Sequence, residues 1–298
     1  MNKLKILWQF SRPHTIIGST LSILSIFALA IGTTAHVTIP LGLLPLSLLS
    51  AWTCNIYITG LNQWTDIEVD KINKPWLPIA AGTLSKQNAL RIVVVCGIIA
   101  LVSAASLSLP FFLLILSIMA IGTAYSLPPL NLKRSHLLAA AAISVVRGLL
   151  VNIGFFLHFR HEMMGEWVFT TAIIPLTVFV TAFSLGIAWF KDIPDTEGDV
   201  LYKFSTLAVT SGRERAFLAG VTVVSMAYVY IILTATMGQL PNPLYFITTH
   251  IAALLIFLWQ AYLLQVSNDK KVKQFYLFFW GLFFMEYLLY PLGFYLPT

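Results

Sequence analysis

"NQWTDIEVDKINKPWLPIAAG", residues Asn62 to Gly82, follows an apolar run that begins near residue 39 and places Asp66, Glu68 and Asp70 within five positions. That much charge is out of character for this chain. Over 298 residues it is 58% hydrophobic and only 10% charged, with a mean hydropathy of +0.84. A second stretch, "FKDIPDTEGD" (Phe190 to Asp199), does the same at the end of another apolar run. Together the two hold seven of the twelve acidic residues.

The apolar runs decide the fold class. Nine stretches of about 20 residues recur, the length that crosses a ~30 Å hydrocarbon core. They cover roughly 15–36, 39–62, 88–107, 109–128, 137–158, 167–189, 215–238, 243–266 and 274–296. Only a helix satisfies its own backbone groups in lipid over such runs. The sequence therefore predicts an all-α, polytopic membrane protein, one domain over 1–298, with no soluble module, linker or leader peptide. Sixteen of the eighteen Lys and Arg residues fall at alternate ends of the spans. By the positive-inside rule this puts the N-terminus and both acidic stretches in the cytoplasm, and Thr298 outside. Of the other two cations, Arg160 is expected in an opposite-side loop and Arg147 inside a span. The net charge of +6 follows from this topology and implies no nucleic-acid partner; the bilayer is the partner, and no obligate protein partner is evident. Cys54 and Cys96 lie in or near spans with no metal or disulfide spacing.

Asn62, Asp66 and Asp70 stand at i, i+4, i+8, one face of a continuing helix, where like charges repel unless a cation lies between them. Asp195 and Asp199 repeat the i, i+4 pair, with Asp192 before them and with Pro194 and Gly198 loosening the segment. Oxygen ligands without His or Cys fit a hard cation such as Mg²⁺, which keeps waters and takes phosphate oxygens. The expected metal set is Asn62, Asp66, Asp70, Asp192, Asp195 and Asp199, with Asp66, Asp70, Asp195 and Asp199 essential to catalysis. A solvated acidic loop would explain one stretch. Two, each following an apolar span on the same predicted side and four spans apart, favour a shared site for a phosphorylated substrate. A diphosphate needs cations as well. Candidates beside it are Asn62, Lys74 and Lys191, and, from "AYSLPPLNLKR" (Ala124 to Arg134), Tyr125, Lys133 and Arg134.

On these residues the chain resembles intramembrane prenyltransferases of the UbiA superfamily. The family's two motifs, NDxxDxxxD and DxxxD, match Asn62, Asp66 and Asp70, and Asp195 and Asp199. Gln63 stands where the general motif has Asp. With "NKPWLPIAAG", "KDIPDTEGD" and the early "SRPHT" (Ser11 to Thr15), it is most similar to the homogentisate prenyltransferases of tocopherol and plastoquinone synthesis. The resemblance covers nearly the whole chain. It implies a helical bundle around a central cavity with cytoplasmic cap loops, in a bacterial inner or thylakoid membrane. It also implies Mg²⁺ between the motifs and transfer of a prenyl group, phytyl first and geranylgeranyl next, from its diphosphate to homogentisate with loss of CO₂. Chlorophyll synthase, menaquinone or ubiquinone precursor prenylation, and transport are the competing readings.

Two charges inside spans remain. Arg147 in "VVRGLLVNIG" and Glu286 near the middle of span 9 each cost at least ~2.5 kcal/mol in lipid and must face the interior with a partner. Arg147 is the first candidate for holding the acceptor, near its carboxylate or the diphosphate, the alternative being a hydrogen-bonded pair or a structural contact with Asn152.

Overall fold

The computed structural model describes residues 3–33, 38–165, 167 and 169–297. In chain order the helices are α1 Lys3–Phe10, α2 Pro13–Gly32, α3 Leu43–Thr65, α4 Ile67–Asn73, α5 Lys86–Ala105, α6 Leu109–Ser126 and α7 His136–Ser144. They continue as α8 Phe155–Met164, α9 Ile173–Asp192, α10 Thr196–Leu201, α11 Leu207–Ser211, α12 Arg213–Thr236, α13 Pro243–Tyr262 and α14 Asp269–Leu292. Nine helical segments among the described residues are long and apolar enough to cross a membrane, in the order expected. No strand occurs among them; Ser135 and Ser205 form one isolated bridge. Residues 34–36 of the first expected span, and Thr298, lie outside the described residues.

Local chemistry sets the ends. Ser85 caps α5 by accepting from the Asn88 N–H, and Asn268 caps α14 by accepting from the Lys271 N–H. Pro110 lies in the first turn of α6, where its missing N–H costs nothing. Gly165 ends α8 with φ of 75°, a conformation that suits glycine.

Two compact units are distinguished: Met1–Thr20, Pro40–Ala142 and Glu197–Ser205, and Leu21–Ile39, Ile143–Thr196 and Thr206–Thr298. In the first, α3 packs on α5 and α6. Small residues let these helices approach, as lipid-embedded packing requires: a Cβ on Gly122 would lie 2.6 Å from Ile58, and one on Gly97 2.9 Å from Tyr57. Phe10 of α1 joins Leu61, Ile79, Ala89 and Val93 in a core cluster. In the second, α9 packs against α12, α14 and the segment between α7 and α8. Its core is aromatic, with Phe183 stacked on Phe279 at 4.2 Å between centroids.

Two expectations are corrected. The first acidic motif does not continue one helix: α3 stops at Thr65, Asp66 takes φ −105° and ψ 21°, and α4 begins at Ile67. The N–H groups of Asp66 and Asp70 still bond the carbonyls of Asn62 and Asp66, so the chain bends without losing the i, i+4 ladder. Arg160 is not in a loop. It lies in α8, is buried, and donates to the Thr33 carbonyl at 3.1 Å.

Candidate active site

The bend at Asp66 sits in a chain of polar contacts. Asn62 uses both ends of its amide: Nδ2 donates to Asp66 Oδ2 at 2.8 Å, and Oδ1 accepts from Arg12 at 3.2 Å. Lys133 donates to Asp66 Oδ1 at 2.6 Å and to Thr65 Oγ1 at 2.7 Å. Arg12 holds φ at 53°, an uncommon backbone state for a residue other than glycine, and its buried Nε meets no acceptor. Gln63 points elsewhere: it is buried and donates to the Phe10 carbonyl at 2.7 Å, tying α1 to α3. The residue that departs from the general family motif is thus a packing residue.

Asn73, at the end of α4, joins the first motif to Gly198 and Asp199, the last part of the second. Its Oδ1 accepts from the Gly198 N–H at 3.0 Å, and its Nδ2 donates to Asp199 at 3.4 Å. Gly198 is required here, because a Cβ on it would stand 2.5 Å from Asn73 Oδ1. The chain after α10 is then clipped to the turn after α6. Ser205 N–H donates to the Arg134 carbonyl and the His136 N–H donates back to Ser205. That turn contains a cis Pro128–Pro129 bond and leads into a short 3₁₀ turn, Leu132–Arg134.

A cavity of about 470 Å³ opens beside this network, lined by Asp66, Lys86, Lys133, Arg134, Trp64 and Tyr202 among others. Lys86 lies 4.6 Å from the Trp64 ring centroid and Arg134 5.7 Å from that of Phe204. Of the expected diphosphate contacts, Asn62, Lys133 and Arg134 are therefore gathered around Asp66. Tyr125 is not among the cavity's lining residues, while its neighbours Ser126 and Leu127 are. Lys74 follows α4 as its cap residue. In the other unit Lys191 lies 3.3 Å from Asp192. Helix α9 ends at Asp192, as Pro194 implied, and the Asp195 N–H bonds the Asp192 carbonyl at 3.2 Å.

Asp70, Asp192, Asp195 and Asp199 are all buried. Buried carboxylates need cations and hydrogen bonds to offset lost hydration. Among the described residues no three His, Cys, Asp or Glu side chains converge on one point as a closed metal cage. Mg²⁺ does not require such a cage, since it is usually held by one or two carboxylates with water and substrate phosphate completing the shell. The donor chemistry, oxygen only and acidic, fits that ion.

Within the spans the two isolated charges differ. Glu286 pairs with His250 at 3.2 Å, both deeply buried. Arg147 has no carboxylate partner among the described residues; its guanidinium lies 4.8 Å from the Trp280 ring centroid and 5.4 Å from that of Phe283. Asn152 bonds the backbone carbonyl of Arg147, not its side chain. Sequence reasoning missed Arg12 and Asn73. "SRPHT" was the available signal for the first; nothing local marks the second.

Membrane-length helices among the described residues, and two aspartate motifs of which Asp199 in the second is bonded by Asn73 at the end of the first, mark the class of intramembrane transferases. The chain matches the UbiA prenyltransferase family over residues 21–283 and belongs to that family; it is a prenyltransferase. It is 39% identical to a homogentisate phytyltransferase of Synechocystis sp., over 100% of this chain and 98% of that one. It is also 39% identical to the chloroplastic homogentisate phytyltransferase 1 of Arabidopsis thaliana, over 97% of this chain and 75% of the relative. Among solved structures, a UbiA homolog from Archaeoglobus fulgidus bound to GPP and Mg²⁺ superposes with a TM-score of 0.65 at 18% identity, covering 97% of this chain and 99% of that one.

Proposed function

We propose that this protein transfers a prenyl group, phytyl in preference, from its diphosphate to homogentisate in a Mg²⁺-dependent reaction that releases CO₂. The observation that carries the reading is the Asn73 clip, which ties Asp199 and Gly198 to the end of the first aspartate motif. The full-length relatedness to homogentisate phytyltransferases supports the acceptor and the donor. Asn62, Asp66, Asp70, Asp192, Asp195 and Asp199 would hold the metal. When bound, Mg²⁺ would neutralise the charge that gathers on the departing diphosphate.

The chain's own residues do the rest. Lys133, already at Asp66, supplies positive charge that can turn to the diphosphate, joined by Asn62, Lys74, Tyr125, Arg134 and Lys191, and by Arg12, whose Nε has donor capacity to spare. The apolar, aromatic spans keep water from the allylic cation formed when the C–O bond ionises. Arg147 orients the acceptor through its carboxylate. The electron-rich ring bonds the allylic carbon and gives up a ring proton. The acetate carboxylate leaves as CO₂, and the remaining methylene takes up a proton to become methyl. The acidic motifs and the N-terminus face the cytoplasm in this scheme, in a bacterial inner or thylakoid membrane.

Purified membranes supplied with homogentisate and a panel of prenyl diphosphates, with and without Mg²⁺, test this. Carboxyl-labelled homogentisate should release labelled CO₂ in step with prenylated product, fastest with phytyl diphosphate. Prenylation of 4-hydroxybenzoate or chlorophyllide with none of homogentisate would refute the acceptor; faster transfer from geranylgeranyl diphosphate would refute the donor preference.

A further inference from the structure

The span His136–Met164 is not one α-helix. Between α7 and α8, residues Val145–Gly154 wind as a π-helix, a form that is rare beyond a single turn and collects at functional sites. Two contacts hold it in that form. Gly148 lies against α9, where a Cβ would stand 2.1 Å from Thr181 Oγ1 and 2.8 Å from Thr181 Cα, so no larger residue permits the approach. Asn152, buried inside the segment, donates from Nδ2 to the carbonyls of Gly148 at 2.7 Å and Arg147 at 3.0 Å. Its Oδ1 accepts the Tyr287 hydroxyl of α14 at 3.1 Å.

This arrangement fixes the place of Arg147. Trp280, Phe283 and Tyr287 are spaced i, i+3, i+7 on α14 and share one face of it. The first two lie against the guanidinium, and the third, through Asn152, fixes the backbone that carries it. A ring engages a guanidinium through charge and face, whereas a carboxylate is bound by its in-plane N–H fork. Glu286, the carboxylate on the same helix, is taken by His250. No carboxylate among the described residues takes the guanidinium fork, and its aim depends on two neutral side chains, Asn152 and Tyr287.

We infer that Asn152 and Tyr287 are positioning residues for Arg147, and that they set the enzyme's affinity for the acceptor's carboxylate without affecting that for the prenyl diphosphate. The inference rests on the acceptor role proposed for Arg147. It implies that selectivity for an acceptor bearing an acetate group is written in the π-segment and the facing stripe of α14.

The test uses the full-length protein in bilayers, with acceptor and donor concentrations varied separately. Tyr287→Phe keeps the ring and removes one hydrogen bond. It should raise the acceptor KM roughly threefold to tenfold, the worth of a single such bond, and leave the donor KM within about twofold. Asn152→Ala should act in the same direction, and Asn152→Ser takes its place if the alanine variant does not insert. Arg147→Lys should raise the acceptor KM further, and Tyr287→Phe added to it should change little, because the tyrosine acts through the arginine. Equal rises in both KM values, or full additivity of Tyr287→Phe with Arg147→Lys, would overturn the inference. So would an unchanged acceptor KM in Arg147→Lys while wild type still prenylates homogentisate, which leaves the proposed reaction standing. Wild-type protein that prenylates no homogentisate overturns the reaction and the inference together.

Discussion

Removing the amide of Asn73 should loosen the second aspartate motif from the first, and the geometry sets how much. In Asn73→Ala the buried Gly198 N–H loses its acceptor at 3.0 Å and Asp199 loses a donor at 3.4 Å. The second contact is longer than the usual 2.7–3.2 Å range, so the orphaned N–H dominates, at about 1–3 kcal/mol. At 1.4 kcal/mol per factor of ten, that corresponds to a ~5–150-fold rise in the Mg²⁺ needed for half-maximal activity if the whole cost falls on the site. Gly198→Ala should have the same consequence by another route: its Cβ would meet the Asn73 amide at 2.5–2.7 Å and force that amide away, breaking both bonds. Asn73→Ala removes the obstacle, so the double variant should be no worse than Gly198→Ala alone. The assay is prenyl transfer across a Mg²⁺ titration, with thermal unfolding in detergent alongside. Additive losses in the double variant, or an Asn73→Ala enzyme with wild-type Mg²⁺ dependence and stability, would refute the clip as the link between the motifs.

Alanine at Asp66, Asp70, Asp195 or Asp199 should abolish nearly all turnover in protein that still inserts, and EDTA should do so reversibly; wild-type rates in both Asp66→Ala and Asp195→Ala would sink the shared metal. The pair of His250 and Glu286 offers a double-substitution cycle. His250 Nδ1 donates to the Phe246 carbonyl at 2.8 Å, which leaves Nε2 for the Glu286 carboxyl as one hydrogen-bonded contact. Loss of either partner should therefore cost about 1–2 kcal/mol, the range of hydrogen bonds in lipid, and not the 3–5 kcal/mol of a stranded buried charge; unfolding of His250→Phe, Glu286→Leu and the double variant measures it. Cysteine placed at Lys71 or Lys271 should label from the cytoplasm and at Gln239 from the opposite side, and labelling of 71 and 239 from one side would break the topology.

The spans were legible because apolar length is a one-dimensional property, and the helix ends follow the expected order to within several residues. The acidic motifs were legible too, since carboxylates at i, i+4 in an apolar chain need a physical reason. The bend at Asp66 was not: periodicity continues through it, and only the backbone of that one residue interrupts the helix. Asn73 was invisible because its partners, Gly198 and Asp199, lie 125 and 126 positions away and its neighbours carry the obvious charge. The partner of Glu286 was missed for the same reason, with His250 36 positions distant. Charge ends an apolar window, so the sequence alone places Arg160 in a loop, whereas a carbonyl at Thr33 allows it to be buried.

The π-segment also governs how this chain tolerates insertions and deletions. An α-helix turns about 100° per residue. Losing any one residue between 145 and 154, with the winding otherwise kept, would move every later side chain of the span back by one position. Phe155–Met164 would then present a different azimuth, carrying Arg160 away from the Thr33 carbonyl and Phe159 away from Phe27, whose rings are 5.0 Å apart. A point substitution in this segment, Gly148 apart, alters single contacts, but a one-residue change in length rotates the last 10 residues of the 29-residue span.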